Sequence, residues 1–153
     1  MQVNSRSPVR FTGKIDIATP IKKVWAIMSD IEKWPEWNHD ISSAKLLGKL
    51  EPGTSFVWKA GPSTITSLIK EVTPNKTMSW TGKTMGIRAT HIWRLEQNGN
   101  GTRVTTEESW DGLVAKITKP LSQRTLEKSI KSGLKMLKDF SESIYNVNQN
   151  EEK

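Results

Sequence analysis

The chain has 153 residues, a formal net charge of +7, 35% hydrophobic and 25% charged residues, the size and make-up of one soluble globular domain. It has no cysteine and only two histidines, His39 and His91, which excludes disulfides, thiolate metal sites, thiol nucleophiles and multi-histidine metal centres. Seven tryptophans stand beside three phenylalanines and one tyrosine; at roughly 200 Å² of buried surface each, they either fill a core or wall a space.

Met1–Ser7 is polar and expected to fray, as is Asn146–Lys153. Met1–Arg10 has no apolar stretch of the signal-peptide kind, and no run approaches the ~20 apolar residues of a membrane span. A cytoplasmic location without stable membrane insertion is expected. No linker or repeat interrupts the chain, so residues 1–153 read as one domain with a core over about 8–145.

Val9–Ile17 alternates and predicts a strand. Thr19-Pro20 then predicts a helix start, with Thr as N-cap and Pro in the first turn. Ile21, Val24, Trp25 and Met28 fall on one face of that helix, and Trp25 is expected in the core. A second short helix begins at Ile31 and is expected to end near Trp34, because Pro35 disfavours helical geometry before it. Asn38-His39-Asp40 reads as a turn, since one His and one carboxylate fall short of a metal site.

Six further strands are predicted over about 41–47, 54–60, 63–72, 76–82, 86–97 and 101–110, separated by Gly-, Pro- and Asn-bearing turns. Asn98-Gly-Asn-Gly101 is the strongest hairpin signal. An even-numbered turn there sets His91 opposite Glu108, Trp93 opposite Thr106 and Leu95 opposite Val104. Carried through the other hairpins, the alternation gives an inner face of Phe56, Trp58, Ile65, Ser67, Ile69, Met78, Trp80, Ile87, Ala89, His91, Trp93, Leu95, Val104, Thr106, Glu108 and Trp110. The outer face is mostly polar, with Val57, Leu68 and Ile92 as exceptions.

Pro120–Tyr145 predicts a helix of ~39 Å at 1.5 Å per residue. Leu126, Ile130, Gly133, Leu134, Leu137 and Ile144 form its apolar stripe, which is expected to cover the inner face of the sheet. Arg124, Lys128, Lys131, Lys135 and Lys138 form a basic stripe opposite; residues 116–138 carry seven Lys/Arg against one acid, Glu127. Such a stripe is normally the solvated back of a packed helix. No nucleic-acid motif accompanies it, so no nucleic-acid partner is expected.

Several segments together resemble the START/SRPBCC helix-grip superfamily, and most closely its polyketide cyclase/dehydrase-like branch. They are Ala18–Trp25 (ATPIKKVW), Trp34–Asn38 (WPEWN), Pro52–Phe56 (PGTSF), Ile92–Glu96 (IWRLE), Gly101–Val104 (GTRV) and Glu107–Gly112 (EESWDG). They follow the family's order over about residues 8–145. The resemblance implies an α+β helix-grip fold, a curved seven-stranded antiparallel sheet wrapped around a long C-terminal helix, with two short helices between the first and second strands. It also implies a tunnel between sheet and helix for lipid-, sterol- or polyketide-like molecules. It carries over no fixed catalytic residues, and neither cofactor nor metal is expected.

His91 and Glu108 are the only titratable side chains on the inner face. They suit orientation of a ligand's polar group, acid–base chemistry of a cyclisation, or a self-satisfied structural pair. The residues expected to line a ligand are Trp58, Ser67, Ile69, Met78, Trp80, His91, Trp93, Thr106, Glu108 and Trp110 from the sheet, with Leu126, Ile130, Gly133 and Leu134 from the last helix. Three functions follow: a non-catalytic binder of a small hydrophobic molecule, a cyclase/aromatase-like enzyme using His91 and Glu108, and a co-chaperone or protein-interaction domain.

Overall fold

The computed structural model describes residues 1–153. Seven antiparallel strands form one sheet: β1 (Val9–Ile17), β2 (Ile41–Leu46), β3 (Ser55–Ala60), β4 (Ser63–Thr73), β5 (Thr77–Thr84), β6 (Ile87–Asn98) and β7 (Gly101–Asp111). Their spatial order is β1-β7-β6-β5-β4-β3-β2, a meander whose first strand returns to pair with the last. Between β1 and β2 lie α1 (Ile21–Ser29), a 3₁₀ turn (Ile31–Lys33) and α2 (Trp34–Trp37). After β7 come α3 (Leu113–Ile117) and α4 (Lys119–Glu151).

The β6–β7 hairpin closes with a two-residue turn, and Gly99 takes φ +61° there. His91 therefore pairs with Glu108, Trp93 with Thr106 and Leu95 with Val104, as the turn parity predicts. A bulge at Lys70 shifts β4 by one residue against β5. It sets Glu71 beside Ser79 and Val72 beside Met78, so Val72 joins the inner face.

The α4 helix runs nearest to β1, and Gly13 permits the approach. A Cβ at Gly13 would stand 2.8 Å from Ile130 Cγ2 and 3.0 Å from Leu134 Cδ1. Leu126, Ile130, Gly133, Leu134 and Leu137 are buried under the helix.

Six expectations are corrected. Pro20, rather than Thr19, precedes α1; Thr19 makes no side-chain cap bond, and its carbonyl accepts a hydrogen bond from the Thr102 hydroxyl (2.8 Å). Pro35 does not end the second helix but opens a new turn, with Trp34 fully helical at φ −51°, ψ −39°. Trp25 is only half-buried, at the margin of the core. The last helix continues through Asn146 to Glu151, and Ile144, beyond the sheet's cover, is exposed. The α3 turn was not foreseen. Finally, Met1–Ser7 is tied down: Ser7 Oγ donates to Asp111 Oδ1 (2.7 Å), Asn4 Nδ2 donates to the same oxygen (3.2 Å), and the Met1 carbonyl accepts from Arg94 (3.3 Å). The segment thus crosses the outer face, where Ile92 is fully buried.

Candidate ligand site on the concave face

Burial along the inner face has a direction. At the end of β6 and β7 away from α3, Leu95 and Val104 are buried, as are Phe56, Ile69 and Met78 on β3 to β5. Toward α3, Trp58, Ile65, Ile87, Ala89, His91, Glu108 and Trp110 all keep partial solvent contact, although they face the helix side. The inner face is thus least covered along β6 and β7 beside α3.

Trp34 packs into the β3–β5 side of the interior. Its ring stands edge-on to Phe56 (5.5 Å) and Trp58 (5.7 Å) and tilted against Trp80 (5.5 Å). Its indole N–H donates to the Met28 carbonyl (2.9 Å). Sequence reasoning placed Trp34 at a helix exit; with Pro35 read as a terminator, nothing signalled that the indole turns inward. Of the expected lining residues, Ile69 and Met78 fall on this packed side and act as core.

Beside Trp110 the inner face carries two small residues, buried Gly82 and half-buried Ala89. Gly82 pairs with Ala89, and Ala89 pairs with Trp110 across the next strand. Gly82 ends the strand predicted over 76–82, whereas β5 continues to Thr84 and places Gly82 within it. Trp58 borders this pair on one side and Trp110 on the other. The indole N–H of Trp58 donates to Ser67 Oγ (3.1 Å) and that of Trp110 to Glu108 Oε1 (2.7 Å).

His91 and Glu108 form the polar part, with side chains 12% and 15% exposed and Nδ1 3.1 Å from Oε2. The indole N–H of Trp93 points at His91 Nε2 (2.8 Å), and the Thr106 hydroxyl lies 2.7 Å from the same nitrogen. An indole can only donate, so Nε2 carries a lone pair and the ring proton is on Nδ1, directed at Glu108. That is neutral imidazole. Burial pushes the His91 pKa below its ordinary value, and the attraction of Glu108, acting upward, does not overcome it. Trp80 stacks obliquely on the imidazole at 4.5 Å.

From α4, Leu126, Ile130 and Leu134 are buried against the sheet. Gly133 faces Asn38: a Cβ there would meet only Asn38 Nδ2 at 3.6 Å, so close packing on the sheet is not what glycine serves there. Two hollows, of about 560 and 240 Å³, lie among polar side chains of α4, and no inner-face residue lines either. No cluster of three or more His, Asp or Glu side chains is arranged to hold a metal ion. No helix is long and apolar enough to cross a membrane.

The profile of the family described as "Polyketide cyclase / dehydrase and lipid transport" matches residues 8–142. The chain belongs to this family. Solved structures share its fold at low identity. A hypothetical protein from Helicobacter pylori is 16% identical over 91% of each chain, with a TM-score of 0.81. A START superfamily protein from Mycobacterium smegmatis is 12% identical, with 88% of this chain and 98% of the other covered and a TM-score of 0.77. The Zhui aromatase/cyclase from Streptomyces sp. R1128 is 13% identical, with 87% and 93% covered and a TM-score of 0.74. No curated protein matches the sequence significantly. The sheet, the long C-terminal helix and the short N-terminal helices are those of the helix-grip fold of START-like proteins.

Proposed function

We propose that this protein binds a small apolar, partly aromatic molecule in the α3-side half of its concave face, without chemical turnover. The observation that carries this reading is the uneven burial of the inner face: Trp34 packs on Phe56, Trp58 and Trp80, while Ile87, Ala89, His91, Glu108 and Trp110 keep partial solvent contact. The occupant would lie on the small-residue floor of Gly82 and Ala89, between the Trp58 and Trp110 indoles. Flat π-faces there favour a flat, polycyclic ligand. Ser67, Thr106 and Glu108, the last two held in place by His91, would orient its hydroxyl or carbonyl groups. A role in lipid or polyketide handling accords with the family's description.

An enzyme of the aromatase/cyclase kind is the second reading. Neutral His91 backed by Glu108 is the protonation state of a general base. Its lone pair, however, is already engaged by the Trp93 N–H at 2.8 Å, which favours a fixed polar anchor over a proton carrier.

Titration of the purified protein with a hydroxylated anthraquinone, followed by tryptophan fluorescence, tests the proposal. Saturable quenching is expected. Ala89→Leu, which fills the floor, should abolish it while the thermal midpoint stays within a few degrees. His91→Ala, which releases Trp93, Thr106 and Glu108 from the ring that positions them, should weaken it. Equal affinity in Ala89→Leu would contradict the site. Conversion of a cyclisable polyketide, lost in Glu108→Gln with binding retained, would favour the enzyme.

A further inference from the structure

Large apolar side chains surround the α3 end of the cleft and point into solvent. Leu113 and Ile117 of α3 are 70% and 71% exposed, Leu121 at the start of α4 69%, and Met85 in the β5–β6 turn 74%. The turn and α3 form one surface: a Cβ on Gly86 would stand 3.0 Å from Val114 Cγ2. Leu113 and Ile117, four residues apart on α3, lie on one side of that helix, and Leu121 follows in the first turn of α4.

Met85 sharpens the point. It occupies a two-residue turn between Thr84 and Ile87 with φ +46°. Asn or Gly relieves both the strain and the exposure at such a position. Its thioether takes only a weak hydrogen bond from the Ser63 hydroxyl (3.5 Å), and most of the side chain is left to solvent.

Cations ring the patch. Lys116, Lys119, Arg124 and Lys128 flank the apolar residues, and none of them is in a salt bridge. Arg124 and Lys128 continue the face that Leu121 begins, at spacings of three and four residues. Glu127 is the one acid among residues 113–138. The apolar side chains protrude singly instead of lining a groove, which suits a fluid interface better than a shaped protein partner.

We propose that this end of the protein docks on an anionic phospholipid bilayer. Leu113, Ile117, Leu121 and Met85 enter the headgroup–acyl boundary, and Lys116, Lys119, Arg124 and Lys128 meet the phosphates. The mouth of the cleft then faces the lipid, so an apolar molecule passes between bilayer and protein without crossing water. Docking itself stands independently of what the cleft binds.

The test is co-sedimentation of the full chain with vesicles of phosphatidylcholine alone and of phosphatidylcholine with phosphatidylglycerol. Binding is expected only with phosphatidylglycerol and should weaken at high salt. Neutralising Arg124→Gln and Lys128→Gln should each lower the affinity about fivefold, the worth of one cation at an anionic surface. The double variant Ile117→Asp, Leu121→Asp should lower it more than about tenfold by removing two aliphatic side chains from the interface; circular dichroism confirms that it folds. No binding to phosphatidylglycerol vesicles at low salt would overturn the proposal. So would binding that the aspartate pair leaves untouched, which would mean adsorption by charge alone. Self-association in sedimentation velocity that the aspartate pair abolishes, without vesicle binding, would assign the patch to a second copy of the chain instead.

Discussion

His91 shows how much chemistry one residue's neighbours decide. Opposite a carboxylate, an imidazole is expected to hold its proton. Here it is buried, and the Trp93 indole donates to Nε2, which only a neutral ring can accept. The sign for stability follows. Above the ordinary imidazole value of 6.5 both folded and unfolded chains carry neutral His91. As the pH falls below it, the unfolded chain binds a proton that the folded chain refuses, so folding is progressively penalised until the lowered folded pKa is reached. Urea unfolding between about pH 7 and pH 5 should therefore show stability declining, and His91→Gln, whose amide oxygen still accepts from Trp93, should flatten the decline. Stability that instead rises as the pH falls through this range would mean a charged His91–Glu108 pair.

The cross-strand pairing of His91 with Glu108 was legible because an even-numbered turn at Asn98–Gly101 admits one side-chain parity. The state of the proton was not legible, since the Trp93 indole that fixes it reaches His91 from two residues along the same strand and face.

Among the elements, those with a long period were the readable ones. Strands β2 to β7 lie within a residue or two of the alternation in the sequence. The five-residue α3 has neither the length nor a side-chain cap to announce it. The bulge at Lys70 was hidden because one added residue leaves the composition of β4 unchanged and alters only its parity. The N-terminal segment looked frayed because its ties are to residues 71, 94 and 111, about 70 to 107 positions away.

The packing of α4 on the sheet turns on two glycines with opposite roles. Gly13 of β1 was passed over in the sequence, yet it is where the helix comes closest. Gly13→Ala forces Ile130 and Leu134 to move and should cost about 1–3 kcal/mol, the usual price of overpacking. Gly133 has room for a methyl group, with its nearest neighbour at an ordinary contact distance. Gly133→Ala should therefore stabilise by about 0.5–1 kcal/mol through helix propensity. Denaturant midpoints at constant slope check both; equal effects would mean that the helix does not meet β1 as described.

At the scale of the molecule, the sequence carried the layer arrangement further than the site. The apolar stripe of α4 and the alternating strands could satisfy each other in one way, which is the helix laid in the sheet. Four of the seven tryptophans do face that interior, on β3, β5, β6 and β7. Their division into core and wall was not legible. It depends on Trp34, which arrives from α2 and packs on Phe56, Trp58 and Trp80, while Trp110 on β7 stays half-buried away from it. Gly82 and Ala89 were likewise unremarkable as letters; their meaning comes from being neighbours across β5 and β6 at the α3 end.

The seven indole N–H groups are separate signals in a ¹H–¹⁵N correlation spectrum, and they report on the cleft most directly. On titration with a hydroxylated anthraquinone, the indole signals of Trp58, Trp93 and Trp110 should move together and saturably, while that of Trp34, bonded to the Met28 carbonyl, stays in place. Saturation that moves Trp34 and leaves Trp58 and Trp110 unshifted, or a spectrum with no indole response at all, would contradict a ligand site at the α3 end of the sheet.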